Sequence, residues 1–159
     1  MADKLKTNAM RILDKEKIDY STHSYNHDDG LIDGISIADK MNLPYNKVFK
    51  TLVTQGQSKN YFVFVIPVHK ELNLKAAAKA VGEKSVEMIA VKDINKVTGY
   101  IRGGCSPIGM KKQYTTVIDK SCESCETIIF SAGKIGHQIE MNPIELLTLI
   151  GGKTEIIVF

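Results

Sequence analysis

Residues 48–68 read VFKTLVTQGQSKNYFVFVIPV, and this stretch gives the strongest signal for the core of the protein. Its first part, Val48 to Thr54, is rich in β-branched and aromatic residues, which is typical of a strand. Its last part, Tyr61 to Val68, is a continuous apolar run, which indicates a central strand buried on both faces. Because only the polar segment Gln55 to Asn60 separates them, the two strands are predicted to form a hairpin at the centre of the core.

Helices are predicted on both sides of this hairpin from apolar spacing and from capping residues. Asparagine or serine stands at several predicted helix starts, and glycine follows several predicted ends. The predicted helices run from a cap at Thr7 or Asn8 to about Lys17, from a cap at Ser36 to Met41, from Leu74 to Val81 after Asn73, from Val91 to Val97, and from Asn142-Pro143 to Ile150.

Further short strands are predicted where β-branched runs lie between turn-forming residues. They cover Ile18–Tyr25, Val86–Ile89, Thr115–Asp119, Thr127–Ser131, His137–Met141 and Glu155–Phe159. Helices and strands are interleaved, yet several neighbouring strands read as hairpins. The sequence therefore predicts one α/β domain of the α+β type over residues 1–159, with a mixed, mostly antiparallel, barrel-like sheet of about six or more strands surrounded by helices.

The composition of the chain limits the classes of function that it can have. The chain has 159 residues, 43% hydrophobic and 25% charged, which is typical of a soluble globular protein. Its net charge of +3 is compatible with a nucleic-acid partner but does not argue for one. No apolar run is long enough for a membrane span, and Met1 to Lys6 lacks the apolar core of a signal peptide. Three cysteines argue against a disulfide framework, so we expect a reduced, cytoplasmic protein.

The segment Gly99 to Lys112, GYIRGGCSPIGMKK, is unusually poor in helix and strand formers. Gly103 and Gly104 allow close approach of a ligand to the backbone, and Pro107 restrains the chain beside them. One interpretation is a loop whose backbone N–H groups hold a small polar ligand. The other is a wide turn between strands, which the local sequence alone slightly favours.

Lys50 is unusual because it lies between Phe49 and Thr51 in the predicted core strand. A lysine is almost never fully buried unless it is paired. In one interpretation Lys50 faces a cleft and stabilises negative charge on a carbonyl or phosphate oxygen. In the other, simple strand alternation places Lys50 in solvent, and local sequence favours this second interpretation.

The cysteines and histidines give no clear metal site. Cys122-x-x-Cys125 lies in a predicted hairpin loop, and zinc would need two further ligands, for which Cys105 and His137 are candidates. Two free thiols in a turn are the favoured interpretation, and a zinc or thiol-redox protein is the weakest alternative. The histidines, none of which shows metal-ligand spacing, are His23, His27, His69 and His137.

Several motifs occur together in an order that resembles the YbaK/EbsC family. These bacterial Cys-tRNA(Pro) deacylases are related to the editing domain inserted in bacterial prolyl-tRNA synthetases. The motifs cover nearly the whole chain: Lys6-Thr7-Asn8-Ala9, Val48-Phe49-Lys50-Thr51-Leu52, Leu72-Asn73-Leu74-Lys75, Lys84-Ser85-Val86-Glu87-Met88, Thr98 to Gly109, and Ser131-Ala132-Gly133-Lys134.

The resemblance implies hydrolysis of the ester that joins a mischarged amino acid to tRNA(Pro). It implies no cofactor and no metal, and it implies mischarged tRNA(Pro) and a transient complex with prolyl-tRNA synthetase as partners. The family's signature lysine corresponds to Lys50, which is the expected catalytic residue. The expected substrate-binding residues are Tyr25, Thr51, Gly103, Gly104, Cys105, Ser106, Pro107 and Gly133.

The chain also departs from the family pattern, and these departures bear on substrate preference. Cys105 stands where an aliphatic residue is more common, and Gln138 stands where some members carry an acid. The segment Gly133 to Gly136 and the segment between His27 and Ile37 differ as well. In the mechanism proposed for YbaK-type proteins, the substrate's own thiol attacks the ester carbonyl. The alternatives are a deacylase for another charged tRNA, such as Ala-tRNA(Pro), and a non-catalytic module that binds aminoacyl-tRNA or an amino acid.

Overall fold

The predicted hairpin forms the centre of the larger of two sheets in the computed structural model, which describes residues 5–159. Residues 1–4 lie outside the described residues. They belong to the segment Met1 to Lys6, which is predicted not to be a signal peptide. The strands are β1 (Ser21–Ser24), β2 (Phe49–Gly56), β3 (Tyr61–Pro67), β4 (Val86–Met88), β5 (Thr115–Asp119), β6 (Ile128–Lys134), β7 (His137–Met141) and β8 (Lys153–Glu155). The helices are α1 (Asn8–Lys15), α2 (Gly34–Met41), α3 (Leu74–Ala80), α4 (Ile94–Thr98) and α5 (Pro143–Ile150).

The larger sheet has the order β4-β2-β3-β5-β8, and the smaller one has the order β1-β7-β6. All pairs in the smaller sheet, and the pairs that β2 makes with β3 and β4, are antiparallel. The pairs β3–β5 and β5–β8 are parallel. The prediction of a mixed, mostly antiparallel sheet with helices around it is confirmed. The sheet is divided in two and is not closed, so the barrel-like description holds only loosely.

The two sheets meet where the chain enters β2. Val48 forms an isolated parallel bridge with Ile129 of β6, and the Ile129 N–H donates to the Lys47 carbonyl at 2.9 Å. A buried carboxylate reinforces this joint. Glu140 of β7 lies 2.9 Å from Lys47 Nζ and 2.6 Å from His23 Nε2. It also accepts a hydrogen bond from the hydroxyl of Thr127, so one carboxylate ties β1, β6 and β7 to the entry of β2.

Side-chain caps begin most of the helices, as the sequence suggested. Thr7, Asn73 and Asn142 each accept from a backbone N–H of the following turn. The prediction that Ser36 caps α2 is wrong. Asp33 is the cap because its carboxylate accepts from the Ser36 N–H at 3.1 Å, and the helix begins at Gly34.

Three predicted segments differ from the structure in length or in connection. The first strand is shorter, Ser21–Ser24 instead of Ile18–Tyr25. The last strand is Lys153–Glu155, and only Val158 of the predicted segment Glu155–Phe159 makes a further isolated bridge. Cys122-x-x-Cys125 does not lie in a hairpin loop. It lies in and just after a 3-10 turn, Lys120–Ser124, that carries the chain from the larger sheet to the smaller one.

The main core lies between the two sheets. Phe49, Val63 and Val65 of the hairpin pack there with Phe130 and Ile139 of the smaller sheet, under α1 and α5. The opposite face of the hairpin is covered mainly by α3, and α2 packs over the joint between the sheets. Within residues 5–159, no helix has the length and apolar character needed to cross a bilayer.

Candidate active site

A cavity of about 750 Å³ runs along the free edge of β2. Strand β4 pairs with β2 only from Thr54 to Gly56, and β6 meets the chain only at Lys47 and Val48. The first half of β2 therefore has one edge without a neighbouring strand, and the cavity follows it. The lining comes from residues 30–34 and Ile37, residues 48–53 and Val68, residues 88, 89, 91 and 94, Arg102, Gly103 and Cys105, and Ser131 and Gln138.

Lys50 lines this cavity and is half-buried. It shares the strand face of Leu52 and is paired with Ile66 across the hairpin. Burial lowers the pKa of Lys50, while the negative charges of Glu71 and Asp33 partly oppose this effect. Within the described part of the chain its ammonium forms no ion pair. A cation held in this way is available to an anionic or polarised oxygen in the cavity.

Thr51 lines the cavity from the opposite face of the same strand. Alternation places its side chain with those of Phe49 and Val53. Its hydroxyl oxygen is buried and has no hydrogen-bond partner among the described residues. A buried hydroxyl without a partner costs free energy.

The glycine-rich loop brings Gly103 and Cys105 to the same cavity. Gly103 has a φ of +82°, and a Cβ there would lie 2.6 Å from Cδ1 of Ile32, so glycine lets the two loops pack together. The N–H of Gly104 donates to the Ile101 carbonyl at 2.9 Å and is occupied. The N–H groups of Gly103 and Cys105 have no acceptor among residues 5–159, so they remain available as donors.

The remaining residues of this loop lie behind the cavity. Gly104 packs on the backbone of Ile135, where a Cβ would meet the Ile135 nitrogen at 3.2 Å. Ser106 is fully buried, and its hydroxyl accepts from the Ile108 N–H at 3.3 Å. Pro107 is buried as well. The three residues shape the loop, and none of them lines the cavity.

Cys105 lines the cavity as a neutral thiol. Burial raises the pKa of Cys105 to about 11, and a hydrogen bond with Thr98 opposes this only in part. The thiolate is the nucleophilic form of cysteine, so Cys105 is not set up for attack at neutral pH. Its place in the lining favours contact with the bound group.

Tyr25 and Gly133 do not line the cavity. Tyr25 is buried, its hydroxyl has no partner among the described residues, and its ring lies 5.9 Å from the ammonium of Lys40. Gly133 has a φ of +96°, and a Cβ there would lie 2.8 Å from a ring carbon of Tyr100. Tyr100 in turn donates to the Ile108 carbonyl at 2.5 Å. Glycine at position 133 therefore gives room to a tyrosine that supports the glycine-rich loop.

Residues 30–34 form the rim of the cavity, and Lys40 of α2 holds the segment that leads into it. The Lys40 ammonium donates to the carbonyls of Asn26 and Leu31 at 2.8 and 2.9 Å, and to the Asp29 carboxylate at 2.7 Å. Sequence reasoning noted that this segment departs from the family pattern, but it did not place it at the cavity. Apolar residues in a loop carry no periodic signal, so the contact of Ile32 with Gly103 was not predictable from pattern alone.

Ser131 and Gln138 are cavity residues that the predicted site omitted. They are direct partners across the β6–β7 pair, and Gln138 is buried. The sequence signal was present, because Ser131 lies in the second glycine-containing motif and Gln138 was noted as a departure. In the part of the chain that the structure describes, no three or more His, Cys, Asp or Glu residues are grouped so that they could hold a metal ion.

Comparison with known families identifies this architecture. Residues 35–149 match the model of the aminoacyl-tRNA editing domain. The chain belongs to the aminoacyl-tRNA editing domain family. The matched region contains Lys50, Thr51, the glycine-rich loop and both strands that contribute Ser131 and Gln138. Residues 30–34 of the lining precede the matched region, and all its other residues lie within it.

Individual relatives agree with the family assignment. The chain is 45% identical over 148 residues to a proposed Cys-tRNA(Pro)/Cys-tRNA(Cys) deacylase, EbsC, of Enterococcus faecalis, with 93% of this chain and 90% of that protein covered. It is 31% identical over 75 residues to a proline–tRNA ligase of Fervidobacterium nodosum, a match that covers 47% of this chain and 13% of the ligase. A solved structure of a proposed trans-editing enzyme for prolyl-tRNA synthetase shares the fold, with a TM-score of 0.81, 18% identity and coverage of 98% and 99% of the two chains.

Proposed function

We propose that this editing-domain protein hydrolyses the ester of mischarged Cys-tRNA(Pro), acting in trans as a free-standing deacylase. The observation that carries the proposal is the placement of Lys50 in one cavity with the unoccupied N–H groups of Gly103 and Cys105. A cation and backbone donors facing one small space can stabilise the negative charge that develops when an ester carbonyl is attacked. The deacylase relative at 45% identity supports the same substrate class.

The site is suited to an ester that is already reactive. The neutral Cys105 thiol does not act as a nucleophile, so the protein's task is to position the ester and stabilise charge. In the proposed reaction the sulfur of the substrate cysteine attacks its own ester carbonyl. The new C–S bond forms, the C–O bond to the tRNA ribose breaks, and the thiol proton ends on the ribose oxygen. The released cysteine thiolactone is then opened by water, so the net reaction is hydrolysis of the ester. Lys50 stabilises the charge on the ester oxygens during this exchange.

Partners and location follow from the proposed substrate. The protein binds tRNA(Pro) carrying the wrong amino acid and associates transiently with prolyl-tRNA synthetase. We place it in the cytoplasm, where translation supplies this substrate. Tyr25, Gly104, Ser106, Pro107 and Gly133 support the binding pocket from behind, while Thr51, Gly103 and Cys105 contact the aminoacyl group.

Deacylation assays on purified tRNA(Pro) test the proposal. The wild-type protein is compared with Lys50→Ala on tRNA(Pro) charged with cysteine, alanine or proline. We expect Cys-tRNA(Pro) to be the fastest substrate, and Lys50→Ala to lose about a hundredfold in kcat/KM because a stabilising cation is removed. Lys79→Ala is the matched control, since Lys79 is exposed on α3 outside the cavity lining.

Three outcomes would redirect the proposal. Equal rates for the wild type and Lys50→Ala would remove Lys50 from the mechanism. Tight binding of Cys-tRNA(Pro) without turnover under excess substrate would overturn the hydrolase and favour a binding module. Preferred hydrolysis of Ala-tRNA(Pro), whose side chain carries no thiol, would change the substrate and overturn the attack by the substrate's own sulfur, because water would then have to attack the ester.

A further inference from the structure

The unpaired edge of β2 exposes the main chain of Thr51 to the cavity. The Val68 N–H donates to the Val48 carbonyl at 2.9 Å, and the Gly56 N–H donates to the Asn60 carbonyl at 2.8 Å. In an antiparallel pair the bonded residues alternate, so the even-numbered residues of β2 direct their N–H and C=O groups to β3. The odd-numbered residues, Thr51 among them, direct theirs to the opposite edge.

On that opposite edge, the neighbouring segments form hydrogen bonds only before and after Thr51. On one side the Val53 carbonyl accepts from the Ile89 N–H at 3.2 Å, and on the other the Lys47 carbonyl accepts from the Ile129 N–H at 2.9 Å. Between them, the N–H and C=O of Thr51 bond to no residue of the described chain. The buried Thr51 hydroxyl lacks a partner too. One residue of the cavity lining therefore carries a free main-chain donor and a free main-chain acceptor on the unpaired strand edge.

We propose that Thr51 binds the aminoacyl group as a strand residue would bind its partner, and that it selects for a free α-amine. In a hydrogen-bonded antiparallel pair, each residue donates its N–H to the carbonyl of the opposing residue. It also accepts, on its own carbonyl, the N–H of that same residue. An α-amino acid ester carries that same combination, an amine and a carbonyl on one carbon. This inference rests on the proposed function, because it assigns a subsite within the same cavity.

In this arrangement the α-amine donates to the Thr51 carbonyl oxygen. The ester carbonyl accepts from the Thr51 N–H, which joins the donors of Gly103 and Cys105. Hydrogen bonds to a charged amine are stronger than neutral ones. An N-acylated ester has lost both the charge and the extra N–H groups, and its acyl group would press against the strand edge. The site therefore takes aminoacyl esters with an unmodified amine and rejects N-acyl and peptidyl esters.

The test compares Cys-tRNA(Pro) with N-acetyl-Cys-tRNA(Pro), on the wild type, Thr51→Val and Thr51→Ser. We expect N-acetylation to lower kcat/KM of the wild type by about tenfold or more. Thr51→Val, which removes the buried hydroxyl, and Thr51→Ser should both keep the wild-type ratio between the two substrates, because the donor and the acceptor of the subsite are main-chain groups. A ratio that falls to one in Thr51→Val would assign the selection to the side chain and contradict recognition by the strand edge. Equal wild-type rates on the two substrates would overturn the subsite.

A binding experiment separates this subsite from the proposed hydrolysis. The probe is 3′-cysteinylamino-3′-deoxyadenosine, whose amide cannot be hydrolysed as the ester can, with and without an N-acetyl group. If the wild type shows no turnover but binds the free-amine probe at least about tenfold more tightly in calorimetry, the subsite stands although the hydrolase fails. Equal affinity for the two probes overturns the subsite whatever the turnover.

Discussion

Replacing Glu140 by glutamine tests the joint between the two sheets. Glu140 is the shared acceptor for Lys47, His23 and Thr127, and its side chain is only 17% exposed. Burial by itself would raise the pKa of Glu140, but the bonds from Thr127, His23 and Lys47 outweigh it and lower the pKa to about 2. Glu140→Gln keeps the size of the side chain and removes the charge on which these contacts depend.

The lowered pKa sets the expected magnitude. The difference between the ordinary value of 4.5 and the value of about 2 corresponds, at about 1.4 kcal/mol per pH unit, to about 3 kcal/mol. A carboxyl whose pKa is lower in the folded state stabilises that state above the unfolded pKa. This contribution is complete at pH 7 and is lost as the pH falls from about 5 towards about 2. Glu140→Gln should therefore lower the free energy of unfolding by about 3 kcal/mol at pH 7.

Urea unfolding followed by circular dichroism at a series of pH values between 7 and 2.5 measures this effect. The difference in the free energy of unfolding between wild type and Glu140→Gln should become steadily smaller below about pH 5. Glu126→Gln serves as the control because Glu126 is exposed, and it should change stability by no more than about 0.5 kcal/mol. A gap that stays constant from pH 7 to pH 3, or one no larger than that of the control, would refute the reasoning.

Two further predictions concern the glycine-rich part of the site. Gly133→Ala should destabilise the protein by about 2 kcal/mol or more, because φ is +96° and the added Cβ would meet Tyr100 at 2.8 Å. Gly82→Ala, with a φ of +72° and open space around it, should cost only about 1 kcal/mol in the same unfolding assay, and equal losses would contradict the contact. Cys105 should react slowly with iodoacetamide at pH 7 in a variant with both other cysteines changed to serine, and faster as the pH approaches about 11. Rapid labelling at pH 7 would contradict the assignment of a neutral thiol.

Much of the fold was predictable because its signals are local. The hairpin of β2 and β3 follows from a dense β-branched stretch and a short polar turn, and the caps at Asn73 and Asn142 follow from residue type. Asp33 and Ser36 are both good caps, and only the three-dimensional hydrogen bond chooses between them. The parallel pairing of β5 with β3 joins segments that are distant in the sequence. The prediction of a hairpin around Cys122 assumed that consecutive strands pair with each other, and it is wrong.

The functional site was less predictable from the sequence than the fold was. Alternation in β2 by itself favoured an exposed Lys50, and the family resemblance was needed to expect a functional role for it. The structure shows why local reasoning fell short: β2 has a free edge where a strand in mid-sheet has none, so residues from both of its faces reach one cavity. The roles of Gly103 and Gly133 as points of close packing depend on Ile32 and Tyr100, which no sequence pattern connects to them.

The adjacency of Lys50 and Thr51 has a consequence for how such a protein can change its specificity. The two residues are consecutive on one strand, so the backbone of β2 fixes the separation of their Cα atoms and the opposite faces on which their side chains stand. No loop adjustment can move one without the other, and an insertion or deletion in β2 would exchange the faces on which they stand. Variation in the accepted amino acid is thereby confined to the opposite walls, the rim that Lys40 holds and the loop that carries Cys105. Evolution or design can reshape those walls while the strand edge proposed to hold the ester stays constant.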